Sequence, residues 1–182
     1  MDQNLTQLSR TMSYALRHDP QNFGLTLDEE GWVPVQDLLL ALRRRSAWRA
    51  LREEDFAAVI AQSEKRRFEM LDGKIRAYYG HSVPQKIERT AALPPVTLFH
   101  GTTPQAAQAI RVEGLRPMNR QYVHLSADTA TARQVALRRT ARPVILHIAA
   151  QQAHQQGITF YLGNDNVWLA DHIPPEFISF EP

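Results

Sequence analysis

The stretch LFHGTT, Leu98 to Thr103, followed after one helix-sized interval by RQYVHLS, Arg120 to Ser126, decides how the second half of this chain is read. Val96 to Phe99 is an apolar run with the character of a buried strand. Gly101 removes a Cβ where backbone would approach a ligand, and Thr102 or Thr103 can cap a helix over Pro104 to Glu113. In the second stretch, period-two alternation sets Tyr122, His124 and Ser126 on one face of a strand and Val123 and Leu125 on the other. One face is chemical and one is packed. Each histidine alone is more often a satisfied structural residue; two of them, each ending an apolar strand beside small hydroxyl residues, outline a cleft.

Working outward, strands are expected at Val96 to Phe99, Tyr122 to Leu125, Val144 to Ile148, Thr159 to Leu162, Val167 to Ala170 and Phe177 to Phe180, with helices at Pro104 to Glu113 and Asp128 to Arg138. Short strands with a strand-rich end predict an α+β domain. No GxGxxG follows a strand, which disfavours a Rossmann-type dinucleotide site. In the first half, Leu5, Leu8, Met12, Ala15 and Leu16 mark one face of a helix that Pro20 ends just after Arg17 and His18. Further helices are expected at Val35 to Leu42 and Glu53 to Ala61. Phe68 to Leu71 and Ile75 to Tyr78 flank Asp72-Gly73, a dipeptide suited to a tight hairpin. Helices closed by a hairpin make a winged-helix-like lobe over residues 1–82. Three prolines between Val83 and Pro95 predict an extended linker over 83–95, and a second lobe occupies 96–182.

The net charge of the 182 residues is only +2, but 18 of the 21 basic residues are arginine, with clusters at Arg43 to Arg45 and Lys65 to Arg67. Arginine's planar fork matches two phosphate oxygens at once, although the bias also fits plain genome composition. The absence of cysteine excludes disulfides, thiol nucleophiles and thiolate metal sites. His147, His154 and His172 have no close-spaced partner in a metal pattern, so no metal is assigned. No apolar run approaches a membrane span and MDQNLTQ is no secretory signal, which leads to the expectation of a soluble, cytoplasmic monomer.

Taken in order, LRHDP (Leu16 to Pro20), LDEEGWV (Leu27 to Val33), EKRRFE (Glu64 to Glu69), IRAYYGHS (Ile75 to Ser82), LFHGT, EGL with RQYVHLSAD, RPVIL (Arg142 to Leu146) and NVWLA (Asn166 to Ala170) resemble the NAD-dependent RNA 2′-phosphotransferases, also called tRNA 2′-phosphotransferases. The resemblance implies an ADP-ribosyltransferase-like split-sheet fold for the second lobe, NAD as co-substrate, and an RNA bearing a 2′-phosphate, as met in tRNA splicing and processing. It implies a two-step reaction. The RNA phosphate attacks the anomeric carbon of the nicotinamide ribose and expels nicotinamide. The ribose 2″-hydroxyl then attacks the same phosphorus, leaving RNA 2′-OH and ADP-ribose 1″,2″-cyclic phosphate.

The family's catalytic Arg-His-Arg-Arg set maps onto Arg17, His18, Arg67 and Arg120, and its NAD contacts onto His100, Gly101, Thr102, His124 and Ser126. The plain alternatives are that Arg17 complements a helix C-terminus and Arg67 is a solvated hairpin edge. Arg66 rivals Arg67, but the register before Phe68 selects Arg67 and alternation sends Arg66 to the opposite face. Val167 stands where protein-modifying ADP-ribosyltransferases commonly carry Glu, so protein modification is disfavoured. Asp165-Asn166 replaces a usual Asn-Gly, with Asn166 expected to tolerate positive φ; Gln121 and Tyr79 also depart from the pattern. His81 and Ser82 read either as structural or as substrate-contacting, and Trp32, Trp48 and Trp168 either as core or as base-stacking platforms. The competing functions are an ADP-ribosyltransferase that modifies terminal phosphates of RNA or DNA, and a non-catalytic RNA-binding module.

Overall fold

Leu8, Met12, Ala15 and Leu16 recur at helical spacing, and the helix they build, α1, runs from Gln3 to Arg17 with those residues buried. In the computed structural model the described residues are 3–63 and 66–180, so Glu64 and Lys65 of EKRRFE lie outside them. The chain divides into two units, Met1–Glu88 and Arg89–Pro182.

In the first unit α1 stops where the N–H groups of both His18 and Asp19 turn back to the Tyr14 carbonyl. Strand β1 (Val33–Pro34), α2 (Val35–Arg43), α3 (Glu53–Ala61), β2 (Phe68–Leu71) and β3 (Lys74–Ala77) follow. The strands form an antiparallel sheet in the order β1-β3-β2. The hairpin turn is the expected one: Asp72 and Gly73 take φ of 49° and 74°, both left-handed, which matches the twist of the flanking strands. β1 was not expected, because two residues carry no alternation and Pro34 has no N–H to give a ladder; it sits at the sheet edge, where that loss is tolerated. Leu38, Leu42, Phe56, Phe68 and Ile75 fill the core between helices and sheet. Trp48 is buried there too, which removes it as a stacking platform, and the Trp32 ring is covered by the Arg76 guanidinium 4.2 Å away.

The stretch 83–95 forms no helix or named strand, bends at 83–85, and is packed at both ends. Val83 and Ile87 are buried in the first unit's core and Glu88 N–H donates to the Glu29 carbonyl, while Ala91 bridges to Tyr161 and Ala92 N–H donates to the Phe160 carbonyl in the second unit.

The second unit holds β4 (Leu98–Thr102), α4 (Pro104–Glu113), β5 (Val123–Ser126), α5 (Thr129–Ala136), β6 (Val144–Ile148), α6 (Ala150–Gln155), β7 (Phe160–Asn164), β8 (Val167–Ala170) and β9 (Ile178–Phe180). Its six strands are antiparallel in the order β7-β8-β5-β4-β6-β9. Thr103, not Thr102, caps α4, accepting the Ala106 N–H at 3.2 Å. Val96 is exposed and lies before β4. α6 escaped the sequence reading because its only apolar contribution is Ala150 and Ala153 in a polar run. Asn166 does not take positive φ; the β7–β8 turn is closed instead by the Asn164 side chain, which accepts the Asn166 N–H at 3.0 Å beside a register shift between Leu162 and Asn164. With two antiparallel sheets and helices beside them, the chain is an α+β protein. No helix among the described residues is long and apolar enough to cross a membrane.

Candidate functional site

The C-terminal end of α1 gathers three of the expected residues in the first unit. Arg17 is half-buried, and its Nη2 donates to the Arg67 carbonyl at 3.3 Å, an oxygen that also accepts the Tyr78 N–H at 3.0 Å. Its guanidinium carbon lies 5.7 Å from the Phe68 ring centroid and 5.2 Å from that of Tyr79. Arg67 donates from Nη1 to the Ser63 hydroxyl at 2.6 Å. Arg66 is exposed, with its guanidinium carbon 5.9 Å from the Tyr78 ring, so the two arginines make different contacts.

His18 Nδ1 stands 2.8 Å from the Ser82 hydroxyl, and the Ser82 N–H donates to the Arg17 carbonyl at 2.9 Å. Thus the GHS segment after the hairpin folds back onto the helix end, and His81 beside it is buried. His18 and Arg67 line one end of an open groove of about 460 Å³ that continues along α1 past Tyr14, Ser13, Arg10, Ser9 and Thr6. Arg17 is not among the lining residues; it is held behind them. A phosphate monoester carries close to two negative charges and three acceptor oxygens, which an imidazole and a guanidinium at one groove end, backed by a second guanidinium, suit well.

In the second unit the sheet opens where chemistry was expected. β4 is paired with β6 along its length from Leu98 to Thr102, but with β5 only at Phe99 and Ser126. Beyond that rung the strands part, and the His100 ring reaches across: its Nδ1 lies 2.9 Å from the His124 carbonyl. A carbonyl only accepts, so Nδ1 carries the proton and Nε2 is left as an acceptor. Burial holds His100 below its ordinary value of 6.5, the bond to the His124 carbonyl opposes that, and the Arg139 charge adds to the lowering. His100 is therefore a neutral imidazole at pH 7. His124 Nδ1 in turn donates to the Tyr122 carbonyl at 3.0 Å.

Ser126 is buried at the rung itself, and Thr102 is paired with Val144 at the far end of β4. Gly101 has a different reason from the one expected. A Cβ there would run into the Ala132 carbonyl oxygen and crowd the Ala136 methyl, so the missing side chain is what lets α5 lie on β4. Arg120 is exposed in the loop before β5, its guanidinium held below its ordinary value by partial burial and then by the Arg139 charge. Arg139 therefore acts on both His100 and Arg120. Sequence reasoning missed it, because an Arg pair just past a helix end looks like any solvated terminus. An imidazole acceptor within reach of the Arg139 charge, which also acts on Arg120, suits a ligand that carries a hydroxyl group next to phosphate. Among the described residues no group of three or more His, Asp or Glu could hold a metal ion.

A sequence model of the RNA 2′-phosphotransferase, Tpt1/KptA family matches residues 3–172. A probable RNA 2′-phosphotransferase of Acetivibrio thermocellus is 49% identical over 176 residues, covering 97% of each chain. One of Bacillus thuringiensis subsp. konkukian is 49% identical, covering 96% of this chain and 94% of its own, and one of Streptomyces griseus is 42% identical, covering 98% of each. Both units fall within these matches, from α1 through the opened sheet, and the chain belongs to the Tpt1/KptA RNA 2′-phosphotransferase family.

Proposed function

We propose that the protein removes the 2′-phosphate of an RNA by transferring it to NAD, in two steps. The observation that carries the proposal is the grouping of His18 and Arg67 at the end of the α1 groove with Arg17 behind them, in a chain that belongs to a 2′-phosphotransferase family. The helices closed by a hairpin support a winged-helix-like reading of the first unit. The single β4–β5 rung supports an ADP-ribosyltransferase-like reading of the second. The second unit's groups support NAD: a ribose hydroxyl would donate to Nε2 of His100, and Arg120 and Arg139 would offset phosphate charge. As co-substrate, NAD supplies the electrophilic ribose carbon and, later, the hydroxyl that accepts the phosphate.

In the first step an oxygen of the RNA phosphate forms the bond to that carbon while the carbon–nitrogen bond breaks and nicotinamide leaves with the electron pair. The nucleophile is already anionic, so Arg67 positions it, with the Arg17 charge bonded to the Arg67 backbone, and no base is needed. In the second step the ribose hydroxyl bonds to phosphorus, the bond from phosphorus to the RNA 2′-oxygen breaks, and that oxygen takes a proton. His18 is the imidazole at the groove end that would carry this proton, and Arg67 beside it stabilises the phosphoryl oxygens. The test is to incubate the protein with a defined 2′-phosphorylated oligonucleotide and NAD and identify every product by mass. RNA 2′-OH, nicotinamide and ADP-ribose 1″,2″-cyclic phosphate are expected; release of inorganic phosphate without NAD overturns the proposal.

A further inference from the structure

The groove extends well beyond the groups that the phosphate chemistry uses. Thr6, Ser9, Arg10, Ser13 and Tyr14 follow the i, i+3, i+4, i+7, i+8 spacing of one helix face, and His18 continues the row by another turn. α1 contains no acidic residue over Gln3–Arg17, so this face carries positive charge from Arg10 with no acid of its own helix to offset it. In the sequence Asp2 directly precedes the helix and Asp19 follows it, the latter accepting from the Tyr14 hydroxyl at 3.2 Å and from the Asn22 N–H at 3.4 Å.

Tyr14 is unusual for an exposed aromatic. It is 49% exposed, yet its hydroxyl is bonded to Asp19 and its ring lies 6.1 Å from the His18 ring and 6.2 Å from that of Phe23. An aromatic held in one orientation costs little further entropy when a base stacks on it. With a rise of about 1.5 Å per residue, Tyr14 stands about 6 Å and Arg10 about 12 Å along the helix from His18. Outward from the phosphate end, the groove thus offers the Tyr14 π-face, then the Ser13 hydroxyl, then the Arg10 guanidinium, with Ser9 and Thr6 beyond it. This is the order base, sugar, phosphodiester.

We propose that the α1 groove seats the single-stranded RNA next to the 2′-phosphorylated nucleotide, with Tyr14 stacking a neighbouring base and Arg10 binding a backbone phosphodiester. The inference rests on the proposed function for what occupies the His18 and Arg67 end. The protein therefore recognises a strand, not a phosphomonoester alone.

The experiment compares the full chain with Arg10→Ala and Tyr14→Leu. Turnover is measured on a 2′-phosphorylated dinucleotide and on a single-stranded hexamer with an internal 2′-phosphate, and binding of a fluorescent hexamer is followed by anisotropy across a salt series. The parent is expected to favour the hexamer in kcat/KM, and each substitution to cut the hexamer-to-dinucleotide ratio about fivefold or more. Arg10→Ala should also lower the slope of log affinity against log salt by about 0.7, the contribution of one phosphate contact on a single strand. Arg116→Ala, an exposed arginine paired with Glu113, is the control for general charge. No length preference in the parent, or an unchanged ratio in both variants, overturns the groove. A rise in the NAD KM with no change in the ratio overturns it too and gives the groove to the dinucleotide. If the parent turns over neither RNA but the variants still weaken hexamer binding, the groove stands and the proposed function falls. Arg10 is exposed, so its variant tests the groove even if Tyr14→Leu fails to fold.

Discussion

His18 and Ser82 are joined through Nδ1 and a hydroxyl 2.8 Å apart, and the same serine's N–H grips the Arg17 carbonyl. One residue from beyond the hairpin thus fixes both the ring and the helix end that carries it. Ser82→Ala is expected to lower kcat about ten- to a hundredfold, the usual cost of losing a group that orients a functional imidazole. The KM for RNA should stay within about twofold, because Ser82 acts through His18, and Ser82→Thr should recover most of the rate. Steady-state kinetics of the three proteins check this; a rise in KM at constant kcat would make Ser82 a substrate contact.

The two proposed steps can be separated. If His18 acts mainly at phosphorus, His18→Ala slows the second step more than the first, and ADP-ribosylated RNA accumulates. Loss of one preorganised contact costs about a hundred- to a thousandfold, enough to make that species visible. His100→Ala should depress both steps with no build-up. A time course on a labelled 2′-phosphate oligonucleotide resolves the cases, and parallel loss of substrate consumption and product without intermediate removes the assignment.

Gly101→Ala tests what the glycine is for. Its Cβ would collide with the Ala132 carbonyl, so the variant should lose about 1–3 kcal/mol or more of stability in urea unfolding. Undiminished stability with a raised NAD KM would return Gly101 to the role of a ligand-facing position.

His100 leads to a pH dependence with a definite sign. Its folded pKa lies below the ordinary 6.5, chiefly through burial. Above pH 6.5 both folded and unfolded chains hold the ring neutral, and its contribution is complete. As pH falls from 6.5 towards the folded pKa, the unfolded chain binds the proton first and stability is lost. The unfolding midpoint should therefore drop on acidification below about pH 6.5, and by less in His100→Gln. Chemical denaturation at a series of pH values measures both.

How far the chain could be read depends on how local each signal is. The buried face of α1 and the Asp72-Gly73 turn are set by neighbours within a few residues, and both stand as expected. β1 exists only because β3 lies alongside it, α6 only because a pair of alanines meets a core, and Gly101 owes its identity to a helix thirty residues on. Arg139 has influence only through where α5 ends relative to His100. Periodicity carries no information about such partners. The family motifs named Arg17 and Arg67 but not that the side chain of one bonds the backbone of the other.

The single Phe99–Ser126 rung has a mechanical meaning. It makes the six strands two leaves of three, β7-β8-β5 and β4-β6-β9, pinned at one point and latched by an imidazole. A continuous ladder would be stiffer, but it would have no place for anything to enter. Amides facing the gap should exchange with solvent sooner than those inside either leaf, and whatever fills the gap should slow that exchange, so occupancy of the opening and the rigidity of the sheet are one and the same variable.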